Sequence, residues 1–138
     1  MTRRRTAELS DAEYHVLARF RRALRLFLHF SEDAARAADL TPNQHQLMLA
    51  IRGFDDGAPT VSDVADWLQL RHHSAVELVD RAVEAGLIER HTDARDRRRQ
   101  RLTLTARGER ALARLSAAHR EELRRFREEM ADLLHELG

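Results

Sequence analysis

The chain has 138 residues, enough for one domain with a real core and too few for two comfortable ones. Its 24 basic residues, all arginine, face 23 carboxylates for a formal charge of +1, so total charge implies no polyanionic partner and only local clustering of charge is informative. The absence of cysteine excludes disulfides, thiolate metal ligands and thiol redox switching, and with no apolar run near membrane-span length and no apolar signal core a soluble cytoplasmic protein is expected.

Residues 1–9 read as a flexible basic arm. Ser10 followed by Glu13 is a capping-box signature, and Tyr14, Leu17, Ala18, Leu24, Phe27, Leu28 and Ala35 recur at roughly helical spacing with no glycine or proline before Leu40. They predict a first long helix (α1, within 10–40) whose wide apolar face needs a partner. Thr41, Pro42 and Gln44 supply a cap, a first-turn proline and a reciprocal side chain for a second helix (α2) running to about Arg52. Gly53, Asp55, Asp56, Gly57 and Pro59 form a turn. Thr60 with Asp63 then opens a short third helix (α3), with Val61, Val64, Ala65 and Leu68 inward.

A polar step, Arg71-His72-His73-Ser74, leads into a fourth helix (α4) that gathers Ala75, Val76, Val79, Ala82 and Val83 on one face and ends at Gly86 as a left-handed cap. Leu87-Ile88-Glu89-Arg90-His91 and Arg101-Leu102-Thr103-Leu104-Thr105 read as two short strands around a cationic turn, Asp93 to Arg99. Thr105 caps a last long helix (α5, 106–138), apolar at Leu112, Leu115, Ala118, Leu123, Phe126, Met130, Leu133 and Leu134 and laced with Glu and Arg elsewhere. Long amphipathic helices at both ends suggest a dimer in which they pack together.

Helix, helix, strand, basic turn, strand is the order of a winged helix-turn-helix, giving a mainly α fold with a small β wing. The second helix of such a pair fits the DNA major groove and its N-terminal residues reach deepest, which makes Arg71, His72, His73, Ser74, Glu77 and Arg81 the candidate base-reading set. On the wing, Arg90, Arg95, Asp96, Arg97, Arg98 and Arg99 are candidates. A guanidinium on a thin hairpin suits the minor groove, with Asp96 orienting Arg98. The alternatives are ordinary ones: exposed polar residues on a surface helix, and a solvated run of charge.

From Thr41 to Gly108 the chain resembles the MarR family of bacterial transcription regulators. The likeness is carried by Leu40-Thr41 with Gln44, by Val79-Asp80-Arg81, by Gly86-Leu87-Ile88-Glu89-Arg90, by Asp96-Arg97-Arg98 and by Leu104-Thr105-Ala106-Arg107-Gly108. The resemblance implies a single domain of order α1-α2-α3-α4-β-β-α5. In it, helices 10–40 and 106–138 form the dimerisation region of a homodimer, and 41–105 form a lobe that binds half of a pseudo-palindromic double-stranded DNA operator. It places Asp96 and Arg98 on the wing-tip aspartate and minor-groove arginine, and His72, His73, Ser74 and Glu77 on the reading end of the recognition helix. Arg71 departs from the pattern, standing where a serine N-cap is common, so the helix start is expected to shift by about a residue.

The family also implies release from DNA by a small phenolic or anionic effector, for which Phe20, Phe27, Phe30, His45, Met48 and Trp67 are candidate pocket liners, although plain core is the commoner role for each. Eight histidines show no ligand spacing, so no metal and no cofactor is expected. No nucleophile motif or phosphate loop points to an enzyme. The rival to a DNA-binding repressor is a protein-interaction module that keeps the winged fold, for which the carboxylates Glu77, Asp80 and Glu84 on α4 leave room.

Overall fold

A computed structural model describes residues 7–138, so all but the last three residues of the expected arm lie outside the described residues. The elements are α1 (Asp11–Ala37), α2 (Pro42–Gly53), α3 (Val61–Trp67), α4 (His72–Glu84), β1 (Ile88–Thr92), β2 (Gln100–Leu104) and α5 (Ala106–Leu137), the order expected of a winged helix-turn-helix.

Helix starts follow the local chemistry. Thr41 and Gln44 bond each other's backbone amides reciprocally at 3.0 and 3.1 Å, and Thr60 and Asp63 do so at 3.2 and 2.9 Å, satisfying amides that a helix start leaves orphaned. Ser10 and Glu13 make the same exchange ahead of α1. Helix ends were less legible. Asp39 and Gln69, neither a glycine, adopt φ of 60° and 58° to turn the chain out of α1 and α3. In each case the next amide bonds back to the helix, Leu40 to the Ala35 carbonyl at 2.9 Å and Leu70 to the Ala65 carbonyl at 2.8 Å. Left-handed backbone costs an L-residue about 1–2 kcal/mol, whereas the Gln69 side chain returns only one exposed bond to the Asp66 carbonyl. Gln69→Gly is therefore expected to raise the unfolding free energy by about 1 kcal/mol, read as a higher urea midpoint at unchanged slope.

The chain divides into two compact units, and the divisions fall inside the two long helices rather than at their ends. Residues 32–118 form the winged lobe. Its core gathers Ala35 and Leu40, Leu47, Met48 and Ile51 from α2, Val64 from α3, Val79 and Ala82 from α4, Leu87, Ile88 and Leu102 from the wing's base, and Ala111, Leu112 and Leu115 from α5. The last turns of α1 and the first turns of α5 thus serve the lobe's core. The wing is an antiparallel pair in which Ile88 faces Leu104 and Thr92 faces Gln100.

The other unit comprises residues 7–31 and 119–138 of the described chain. Here the Phe27 ring lies 5.3 Å from Phe126, and His119 meets Phe27 and Phe30 edge-on while its Nε2 sits 2.8 Å from the Ser31 hydroxyl. Arg19 bonds Glu136, so the two helical segments run antiparallel. Buried or half-buried apolar positions of α1 in this unit are Val16, Ala23, Leu24, Phe27 and Phe30, whereas Tyr14, Leu17, Ala18 and Leu28, which spacing places on the wide apolar face, are exposed. Apolar residues cover more than half of this helix's circumference, so periodicity alone does not choose which stripe this fold buries.

Candidate nucleic-acid interface

α4 is seated by Ala75, Val79 and Ala82, all fully buried, and this turns the opposite face outward. Arg71, His72, His73, Glu77 and Arg81 are exposed on it and Ser74 is half-buried. The expected shift of the helix start does not occur: α4 begins at His72 with Arg71 as an N-cap in extended backbone (φ −66°, ψ 148°), making no side-chain cap bond. An arginine has no acceptor to give the first-turn amides, so its guanidinium is left to other partners.

Between this helix, the start of α3 and the wing lies a groove of about 380 Å³, lined by Thr60, Ser62, His72 and Val76 on one side and by Arg90, Arg97, Arg98 and Arg99 on the other. Of the six helix candidates only His72 lines this groove, with four wing arginines opposite and the Asp63 carboxylate also on its wall. Arg98 is 93% exposed along its side chain. Asp96 does less to orient that guanidinium than expected. Its Oδ1 accepts the Arg98 backbone amide at 3.0 Å and only grazes Nε at 3.5 Å, so it fixes the turn more than the side chain.

Two arginines are not the free cations that charge counting suggests. Arg90, one of the wing candidates, lines the groove and also lies against Asp80 in an ion pair that ties β1 to α4. Arg101, absent from the sequence candidates, donates through Nε and Nη2 to one oxygen of Asp93 at 3.1 and 3.0 Å, and through Nη1 to the Ala58 carbonyl at 2.9 Å. The Arg95 backbone amide and this guanidinium hold the Asp93 carboxyl below the usual carboxylate range, burial opposing them. A lowered folded-state value means that Asp93 adds stability above the ordinary carboxylate range and loses it as pH falls through the lowered one. The melting difference between wild type and Asp93→Asn is accordingly expected to be flat above about pH 5 and to shrink below about pH 4.

The six candidate effector residues are split between the units: Phe20, Phe27 and Phe30 in one, His45, Met48 and Trp67 in the other. Met48 is fully buried in the lobe core, whereas Trp67 is 60% exposed with its ring edge-on to Phe54, so these two do not wall one cavity. No group of three or more histidines and carboxylates among the described residues is placed to hold a metal ion. No helix among them is long and apolar enough to cross a membrane.

Residues 38–99 match the model of the MarR family, a span that holds α2, α3, α4, β1 and the whole cationic turn. Over this span the chain is similar to the MarR family. Solved MarR-family structures share the fold over most of the chain. AbsC from Streptomyces coelicolor, a MarR family transcriptional regulator, is 22% identical with a TM-score of 0.75, covering 94% of this chain and 90% of that one. A mutant of S. aureus MepR bound to an oligodeoxyribonucleotide is 20% identical with a TM-score of 0.70, covering 95% and 100%. Wild-type MarR from E. coli in its apo form is 18% identical with a TM-score of 0.71, covering 85% and 89%. At these identities the likeness is one of fold. No curated protein matches the chain in sequence.

Proposed function

We propose that the protein is a sequence-specific double-stranded DNA-binding regulator of transcription, a cytoplasmic repressor that acts as a homodimer on a pseudo-palindromic operator. The observation that carries this reading is the shared groove, in which His72 at the reading end of α4 and the wing arginines Arg97, Arg98 and Arg99 face one volume. Arginines fix register on phosphates, exposed side chains of α4 read base edges in the major groove, and the wing tip enters the adjacent minor groove. The bound MepR mutant shows that this fold supports DNA binding in a relative.

The test is a salt titration of binding to duplex DNA, followed by selection from a random duplex pool. A steep fall in affinity with salt and an inverted repeat among selected sequences are expected; salt-insensitive or absent binding rejects the reading. The rival protein-interaction reading rests on three carboxylates of α4, one of which, Asp80, is paired with Arg90.

Dimerisation is supported by apolar side chains left outside in the unit of residues 7–31 and 119–138, among them Tyr14, Leu26, Leu123 and Leu134. Leu123 is 51% exposed, so Leu123→Asp removes little from the monomer's own packing. It is expected to weaken self-association by at least about tenfold, since an unpaired buried carboxylate costs several kcal/mol, with helical circular dichroism retained. Sedimentation measures this, and an unchanged dimer moves the interface elsewhere. Release by a small phenolic or anionic effector completes the proposal and rests on family likeness.

A further inference from the structure

The wing is two strands of five residues, and a lone ribbon of that size is marginal in water. A charged tip at its end points in no fixed direction unless something outside the ribbon holds it. Arg101 supplies that hold in two directions at once, gripping Asp93 at the far end of the hairpin and the Ala58 carbonyl in the segment before α3. Beside it, Thr60 bridges to Arg101 along the backbone and the Leu102 amide donates to the Pro59 carbonyl at 2.8 Å. Asp93 passes the constraint into the tip: its second oxygen accepts the Arg95 amide at 2.9 Å, and its own amide donates to the Arg99 carbonyl at 2.9 Å. Among the wing's ion pairs this carboxylate is the best shielded, 12% exposed against 40% for Asp96.

Resting on the DNA-binding reading above, we propose that the Asp93–Arg101 clasp is a positioning device: Arg101 sets the angle at which the tip arginines Arg97, Arg98 and Arg99 meet duplex DNA, and is not itself a DNA contact. The clasp spans the wing's two strands and the lead into α3, the three pieces whose relative placement shapes the cationic groove. A contrary role is physically definite. Were Arg101 a phosphate-binding cation muted by Asp93, removing the carboxylate would free it and tighten binding.

Two variants separate these roles, Asp93→Ala and Arg101→Leu, with binding to a duplex followed by fluorescence anisotropy across salt concentrations. Positioning predicts that both lose at least about tenfold in affinity and that the salt slope becomes shallower by more than about one per lobe, because several tip arginines lose register together. Asp93→Asn, which has one acceptor oxygen and so can serve Arg95 or Arg101 but not both, is expected to recover only part of the loss. Without DNA, trypsin is expected to cut within residues 93–99 several-fold faster in both variants, the exposed tip now opening locally, while melting shifts little because no core residue is touched. Asp93→Ala binding as tightly as wild type or more so, or unchanged trypsin cleavage, overturns the clasp. Wild type failing to bind any duplex in a salt-sensitive way overturns the DNA reading instead, and the trypsin rates still decide whether the clasp holds the tip.

Discussion

Gly108→Ala is expected to destabilise the fold by about 1–3 kcal/mol, although alanine in a helix is intrinsically favoured over glycine by about 1 kcal/mol. The sign is decided by what stands beside the first turn of α5. A Cβ at 108 would lie 2.2 Å from the Leu87 carbonyl oxygen and 3.2 Å from its carbon, contacts with backbone that no rotamer change can relieve. That carbonyl is also fixed, since it accepts the Thr105 amide at 3.0 Å. Around the same point the Thr105 hydroxyl donates to the Gly86 carbonyl at 2.6 Å and accepts the Gly108 amide at 3.0 Å, and Gly86 itself turns the chain out of α4 at φ 73°. The added methyl must therefore push apart the junction of α4, β1 and α5 and strain three hydrogen bonds. A denaturant midpoint that rises, as propensity alone would have it, sinks this account of the junction.

The same junction shows which part of the chain was legible and why. Gly86-Leu87-Ile88 and Leu104-Thr105-Ala106-Arg107-Gly108 signalled the family, yet their structural work is packing and capping, with Leu87 and Ile88 in the core and Thr105 as a latch. Such patterns are readable because caps and close approaches need particular residue types within a few positions of each other. Reciprocal caps at Thr41 and Thr60 were legible for that reason. Partners far apart were not: Asp80 lies ten residues from Arg90, Asp93 eight from Arg101, and Ala58 forty-three from Arg101. A count of arginines in the wing therefore does not distinguish Arg90, paired with Asp80, or Arg101, paired with Asp93, from the open tip arginines. The turns at Asp39 and Gln69 carry no sequence signal because residues without a glycine's freedom bear the left-handed backbone there.

Arg98→Ala, by contrast, is expected to leave folding almost untouched and to weaken DNA binding by about 1–3 kcal/mol per lobe, with the salt slope reduced by about one per lobe. Its side chain is 93% exposed and its nearest charged partner, Asp96, touches it only at 3.5 Å, so a surface pair of this kind adds little to stability. Asp96 keeps its bond to the residue-98 amide in the variant, and the turn keeps its shape. Arg90→Ala supplies the opposite signature. It leaves Asp80 on α4 without its guanidinium and unties β1 from that helix, so melting temperature and DNA affinity fall together. If Arg98→Ala lowers stability as much as Arg90→Ala does, or binds a selected operator as tightly as wild type, the tip arginine is not a DNA contact and the cationic groove serves some other polyanion or none.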